Sequence, residues 1–248
     1  MEQQKIDMKK EQIKEYEQKE AALFSSWKQK PPYGMINHRD HVWVADGILC
    51  PEQWFSQPVR PLFLLKEAYG GTEDWDLRQL LLKGEDSLPY LPKMWQRVSL
   101  WAKGLLETTA GQIAPFAQGD DCKSFGNDYL RQCAVMNLKK SNGKSHSTRE
   151  ELEAYVAYDR QELLEQLSLI RPTILVCGYT ASLLFTLWEK QPQKNENWFT
   201  WVSFQGEPLL VLDYYHPANA FPDLLNYYGL MGIYQQALLT QKVKKPVC

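Results

Sequence analysis

The sequence predicts an α/β protein: a three-layer α/β/α sandwich on a central, mainly parallel sheet of four strands. Three observations predict it. Residues 61–65, 133–136, 173–177 and 208–212 are continuous apolar runs, as expected of strands buried on both faces of a parallel sheet. Segments with helical spacing of apolar residues lie between them, the alternation that α/β folds require. Each run ends in a cluster of polar residues, and ligands of open α/β sheets bind beyond the carboxyl ends of the strands.

Taken in order, residues 1–30 read as an N-terminal helix rich in Glu, Gln and Lys that stops before Pro31-Pro32. Its apolar positions Ile6, Ile13, Leu23, Phe24 and Trp27 crowd toward its end, which suits a surface helix docked by its last turns. Residues 31–248 form the main domain. Residues 41–48 read as an extra strand and turn ahead of the first core strand. Two helical stretches span 75–110, split at Ser87-Leu88-Pro89, and 111–131 is mostly loop. A flexible polar stretch, 141–147, follows the second core strand. The helix over 148–169 starts with Thr148 as N-cap and Glu151 three positions on, a capping-box pattern. Residues 181–189 read as a helix, 198–204 as a strand, and 223–242 as a closing helix. No internal repeat is present.

Composition narrows the function classes. The formal net charge of −2 leaves no basic whole-protein field for coating DNA, but not the absence of a local basic strip. The five cysteines, Cys50, Cys122, Cys133, Cys177 and Cys248, are scattered without a C-x-x-C pair. This pattern suits a reducing compartment and gives no support to a zinc or iron–sulfur site. The beginning of the chain is charged rather than signal-like, and no apolar run approaches membrane-spanning length. The expectation is a cytoplasmic protein without a membrane partner, a metal or a cofactor.

The chemistry lies in the four clusters: Lys66-Glu67-Ala68-Tyr69-Gly70-Gly71, Asn137-Leu138-Lys139-Lys140, Gly178-Tyr179-Thr180, and Asp213-Tyr214-Tyr215-His216-Pro217-Ala218-Asn219. On neighbouring parallel strands, Glu67, Asn137 and His216 converge on one crevice, a carboxylate, an amide and an imidazole together. Each also has a purely structural reading. Glu67 alone fits a helix cap or an ion-pair partner, Asn137 a turn former, His216-Pro217 a loop dipeptide, and Phe221 a core residue. Gly178-Tyr179-Thr180 reads as a strand-to-helix turn or as a phosphate cradle. His38 and His41 with Asp40 and Asp46 read as a satisfied loop or as metal ligands.

With these residues in view, the chain resembles the uracil-DNA glycosylase superfamily, from about residue 42 to residue 239. Lys66-Glu67-Ala68-Tyr69-Gly70-Gly71-Thr72-Glu73-Asp74 is similar to a bacterial branch's first motif, Gly-Glu-Ala-Pro-Gly-x-x-Glu-Asp. Asn137 stands where the superfamily keeps a base-reading asparagine, and His216-Pro217-Ala218-Asn219 resembles its His-Pro-Ser motif. The resemblance implies hydrolysis of the N-glycosidic bond of a flipped base. Glu67 and His216 would be catalytic: Glu67 orients or deprotonates water and stabilises the cationic sugar, and His216 hydrogen-bonds the departing base. Asn137 would pair with the base edge and Tyr69 would stack on it. Phe221 would act as a wedge in the vacated duplex. Asn219 and the basic strip Lys139, Lys140, Lys144 and Arg149 would meet DNA. Glu73 and Asp74 contend for the carboxylate role.

Three positions depart from the motifs: Lys66 replaces the glycine, Tyr69 the proline and Ala218 the serine. The four-cysteine cluster spacing of that branch is missing too. These departures point to a base other than plain uracil, such as a bulky modified pyrimidine of the kind that bacterial defence enzymes in the wider superfamily excise from phage DNA. Two other classes stay open: a non-catalytic nucleic-acid-binding module, and a hydrolase of free nucleosides.

Overall fold

Each of the four apolar runs becomes a buried strand in the computed structural model, which describes residues 2–82, 92–117, 128–143, 148–190 and 198–243. The first half of the chain contains α1 (Glu2–Lys28), β1 (Val44–Ala45), β2 (Gly47–Ile48), α2 (Pro51–Trp54), β3 (Pro61–Glu67), β4 (Trp75–Asp76), α3 (Leu77–Leu81) and α4 (Lys93–Glu107). The second half contains α5 (Asp128–Arg131), β5 (Ala134–Lys139), α6 (Arg149–Tyr158), α7 (Arg160–Ile170), β6 (Ile174–Gly178), α8 (Ala181–Leu187), β7 (Phe199–Phe204), β8 (Glu207–Tyr214) and α9 (Asp223–Val243).

The central sheet has six strands, not four, in the order β2-β5-β3-β6-β8-β7. The four core strands run parallel in its middle, and β2 and β7 pair antiparallel at its edges. The sheet is therefore mixed. The edge segments escape a criterion of continuous apolar runs because β2 is only two residues long and most of β7 is half-buried. β7 turns into β8 through Gln205 and Gly206, both with positive φ, the geometry of a two-residue hairpin. The expected strand over 41–48 divides: β1 pairs with β4 in a separate small parallel sheet, and β2 joins the main one.

Side chains alternate across the strands, so each strand feeds two cores. Phe63, Leu65, Val135, Val176 and Leu212 pack with Trp101 and Leu105 of α4 and Tyr227 and Met231 of α9. Leu62, Leu64, Met136, Leu175 and Val211 pack with Trp27 of α1, Leu152 of α6, Leu167 of α7 and Leu184 of α8. Burying each Leu or Phe contributes about 1.5–3 kcal/mol. The single helix expected over 148–169 resolves into α6 and α7, meeting at Asp159, whose buried carboxylate is drawn to His38 and Lys30. Thr148 does cap α6, its Oγ accepting Glu151 N–H at 3.2 Å. The expected break at Ser87-Leu88-Pro89 and much of the loop over 111–131 lie outside the described residues.

One polar cluster sits inside this frame. Lys140 has no solvent exposure, and its ammonium pairs with Asp46, itself fully buried. Asp46 also accepts from Asn137 N at 2.8 Å, Asn137 Nδ2 at 3.1 Å and Gln166 Nε2 at 2.9 Å. Burial lowers the Lys140 pKa, with Asp46 opposing that shift. Removing one partner of such a pair strands a buried charge at a cost of about 3–5 kcal/mol, whereas replacing both is far cheaper. Lys140→Met should lower the unfolding free energy from urea titration by that amount, and adding Asp46→Asn should restore most of the loss. Equal destabilisation in the single and double variants would contradict this reading.

Candidate active site

The first core strand, β3, lies inside the sheet with β5 on one side and β6 on the other. The carboxyl ends of β3 and β6 thus form a topological switch point, the place where open α/β sheets as a class bind their ligands. Glu67 ends β3 and Gly178 ends β6. Thr180 fastens the two together, its hydroxyl donating to Leu64 O at 2.7 Å.

Parallel register sets Glu67 beside Lys139. Lys139 Nζ lies 2.8 Å from Glu67 Oε2 and 2.5 Å from Glu151 Oε1, and the paired Glu67 and Lys139 side chains are only 3% and 5% exposed. Burial alone would lower the Lys139 pKa, but hydrogen bonds to Glu151 and Glu67 reverse that and raise it. The loop after β5 closes over the carboxylate. Gly143 N–H donates to Ala68 O at 2.8 Å, and a Cβ at Gly143 would fall 2.1 Å from Glu67 Oε2. Only glycine fits here without displacing Glu67. The result is an anion of fixed position at the end of β3, held from the β5 side.

His216 lies beyond β8, on the same carboxyl edge, with β6 between its strand and that of Glu67. Its Nδ1 accepts Ala218 N–H at 3.2 Å, which places the ring proton on Nε2. Burial, and then the charge of Lys66, push its pKa down to about 4. At neutral pH this imidazole is an uncharged Nε2–H donor. Gly178 permits the close approach, since a Cβ there would meet Leu65 at 2.9 Å and His216 Cα at 3.4 Å. This packing accounts for the glycine as a strand-to-helix turn.

Arg97 of α4, which nothing in the sequence pattern singles out, holds the His216 loop from beneath. It is 3% exposed and donates to Pro217 O at 2.6 Å, Asn219 O at 2.8 Å, Phe221 O at 3.1 Å and Asp223 Oδ1 at 2.7 Å. Asn219 is engaged within the loop. Its Nδ2 donates to His216 O, and its amide and that of Asn226 bond each other reciprocally at 3.1 and 2.9 Å. Asn219 thus shapes the loop that carries His216.

The basic strip does not assemble. Lys139 is held between two carboxylates and Lys140 is sealed in the core, so neither offers a surface to a phosphate backbone. Lys144 lies outside the described residues. Arg149 is exposed but bonds Glu153 at 2.7 Å and Ser182 at 3.3 Å. Asn137 is 2% exposed with its Nδ2 fixed on Asp46, two positions short of the strand end. Tyr69 is 63% exposed beside Glu67 in sequence. Phe221, half-exposed, packs its ring 5.1 Å from Tyr215, as the wall of an aromatic cavity instead of a free-standing wedge. Asp74 accepts Trp43 N–H and pairs with Lys28, so it serves the strap around β1 and β4.

His38 and Asp46 belong to different networks, so the metal-ligand reading of that loop does not hold. His38 instead links Ser141 Oγ at 2.9 Å to Asp159 Oδ1 at 3.0 Å. This hydroxyl–imidazole–carboxylate chain resembles a catalytic triad, but all three residues are at most 1% exposed, and no substrate reaches the serine. Compared with models of known protein families and with curated protein sequences, the chain matches none.

The His216 geometry has a measurable consequence. Its depressed pKa means that the unfolded chain, unlike the folded one, protonates this imidazole as pH falls from about 6.5 to about 4, so stability is lost across that window. The His216 ring proton should titrate by NMR with a midpoint of about 4. Lys66→Met should raise that midpoint while leaving it below the ordinary value, because burial is the larger cause. An ordinary midpoint in the wild type, or none of this response to Lys66→Met, would contradict the placement.

Proposed function

We propose that this protein is a monofunctional DNA glycosylase with the three-layer α/β/α arrangement of the uracil-DNA glycosylases. One observation carries the reading: a carboxylate immobilised at the end of β3 lies on the same sheet edge as a neutral imidazole that presents Nε2–H. Breaking an N-glycosidic bond builds positive charge on the sugar and negative charge on the leaving base, so a catalyst needs a fixed anion for one and a donor for the other. On this reading the loop at Gly143 is displaced when DNA binds, Glu67 then faces the cationic sugar and orients the attacking water, and His216 donates to the base oxygen where charge gathers. The water oxygen bonds to C1′ as the C1′–N bond breaks, the base leaves with the electron pair, and the water proton is lost to solvent or to Glu67. An abasic site remains.

The Glu67–Lys139 pair favours a fixed-charge role for the carboxylate over that of a strong base. Asn137, its amide nitrogen turned to Asp46, would offer Oδ1 to a donor on the base edge. Exposed Tyr69 and the altered first motif favour a modified or damaged base over plain uracil, with glucosylated hydroxymethylcytosine of phage DNA the leading candidate. Removal of such bases would serve DNA repair or defence against phage. The same Glu67–Lys139 pair favours one rival, a binding module of this fold whose carboxylate is purely structural.

Wild type and Glu67→Gln should be incubated with uracil-containing DNA, single strands, and phage DNA carrying hydroxymethylated or glucosylated cytosine, and abasic sites read by alkaline cleavage. The reading expects abasic sites from the wild type on at least one substrate, and a loss of about 10²-fold or more in Glu67→Gln. DNA binding without product on any substrate would establish the binding module instead.

A further inference from the structure

Beyond His216 the loop and α9 border an open cavity of about 330 Å³, lined by Trp198, Tyr214, Tyr215, Phe221, Leu225 and Ile233. That volume lies within the range of small-ligand sites. Tyr215 stands at its centre, 5.3 Å from Trp198, 5.2 Å from Tyr214 and 5.1 Å from Phe221, all tilted or edge-on. Tyr179 continues the row at 5.6 Å from Tyr215, with Lys66 Nζ 5.8 Å from the Tyr179 ring centre. The row thus runs from the switch point, past His216, into the cavity.

These rings are held outward at a cost. Trp198, Tyr179 and Phe221 are 40%, 54% and 51% exposed. Trp198 and Tyr179 also occupy the left-handed region, with φ of 61° and 60°, a conformation that bulky side chains rarely adopt and that clusters at functional sites. Two polar side chains of the lining are already engaged: Tyr214 Oη donates to Asn226 O at 2.8 Å, and the Asn226 amide is bonded to Asn219, Phe221 O and Pro222 O. Most of the surface left to an occupant is aromatic and aliphatic.

We propose that this cavity takes an unpaired nucleobase flanking the target, by stacking and without regard to its identity, and that the substrate is accordingly single-stranded DNA. A base has a π face that can stack on an outward-facing aromatic ring, and such stacking tolerates every base. A base paired within a duplex keeps its faces covered by its neighbours and does not enter. The proposal rests on the glycosylase reading for what happens at Glu67, and its binding step is measured apart from that chemistry.

The test uses the Glu67→Gln full-length protein and a labelled single-stranded oligonucleotide against its duplex, read by fluorescence anisotropy. A second set carries 2-aminopurine on either side of the target base. Single strands should bind at least about ten-fold more tightly than the duplex, with 2-aminopurine emission quenched at one flanking position. Phe221→Ala and Trp198→Ala should each weaken single-strand binding by about ten-fold. Phe221→Leu, which keeps apolar bulk but loses the π face, should weaken it as much. Equal affinity for both DNA forms, unquenched 2-aminopurine at both positions, or full binding by Phe221→Leu would overturn the proposal; the last would mark the cavity as apolar packing for another occupant. Abasic product from wild type with unaltered binding by the cavity variants would remove this proposal and leave the glycosylase. Cavity-dependent single-strand binding without product would remove the glycosylase and leave the cavity.

Discussion

Lys139 and Lys140 are consecutive, both are buried, and strand alternation sends them in different directions. Each must find a carboxylate, because an unpaired ammonium cannot be buried without a penalty of several kcal/mol. Lys140 finds Asp46 and so ties the turn before β2 to the end of β5 and, through Gln166, to α7. Lys139 finds Glu67 across the β3–β5 register and Glu151 on α6. One demand of electrostatics therefore locks the interior on one side and sets the position of the crevice carboxylate on the other.

The rest of the edge follows from close approach and burial. Gly143 lets the loop after β5 close on Glu67, and Gly178 lets the His216 loop approach β6. Arg97 gathers the carbonyls of Pro217, Asn219 and Phe221, so one buried guanidinium ties the loop that carries the imidazole to the wall of the aromatic cavity. Lys66 adds charge beside His216 and helps to keep it neutral. A fixed anion and a neutral donor on one edge is the electrostatic pattern that separating a cationic sugar from an anionic base requires.

Much of this was legible in the sequence, and the exceptions have physical causes. Continuous apolar runs betray strands buried on both faces, so the four core strands and the strand-end positions of Glu67 and His216 could be read directly. Edge strands as short as β2 or as half-buried as β7 carry no such signal, so the sheet is wider than the runs imply. Lys139 and Lys140 read as a surface strip because composition shows charge but not register; only the pairing of β5 with β3 reveals that one faces Glu67 and the other Asp46. Arg97 had no local signal at all, since its partners lie more than a hundred residues away. Asn219 and Phe221 were visible as residues of interest, but their use in the loop and the cavity wall depends on α9.

The role proposed for Glu67 is that of a fixed negative charge facing a sugar that becomes cationic. The most direct measurement is the affinity for single-stranded DNA carrying a positively charged pyrrolidine at the target position, compared with the same DNA carrying a neutral tetrahydrofuran. If the account is right, wild type prefers the cationic analogue by about 10²-fold or more, and Glu67→Gln loses that preference while still binding the neutral one. Equal affinity for the two analogues in the wild type, or a preference that survives in Glu67→Gln, would contradict it.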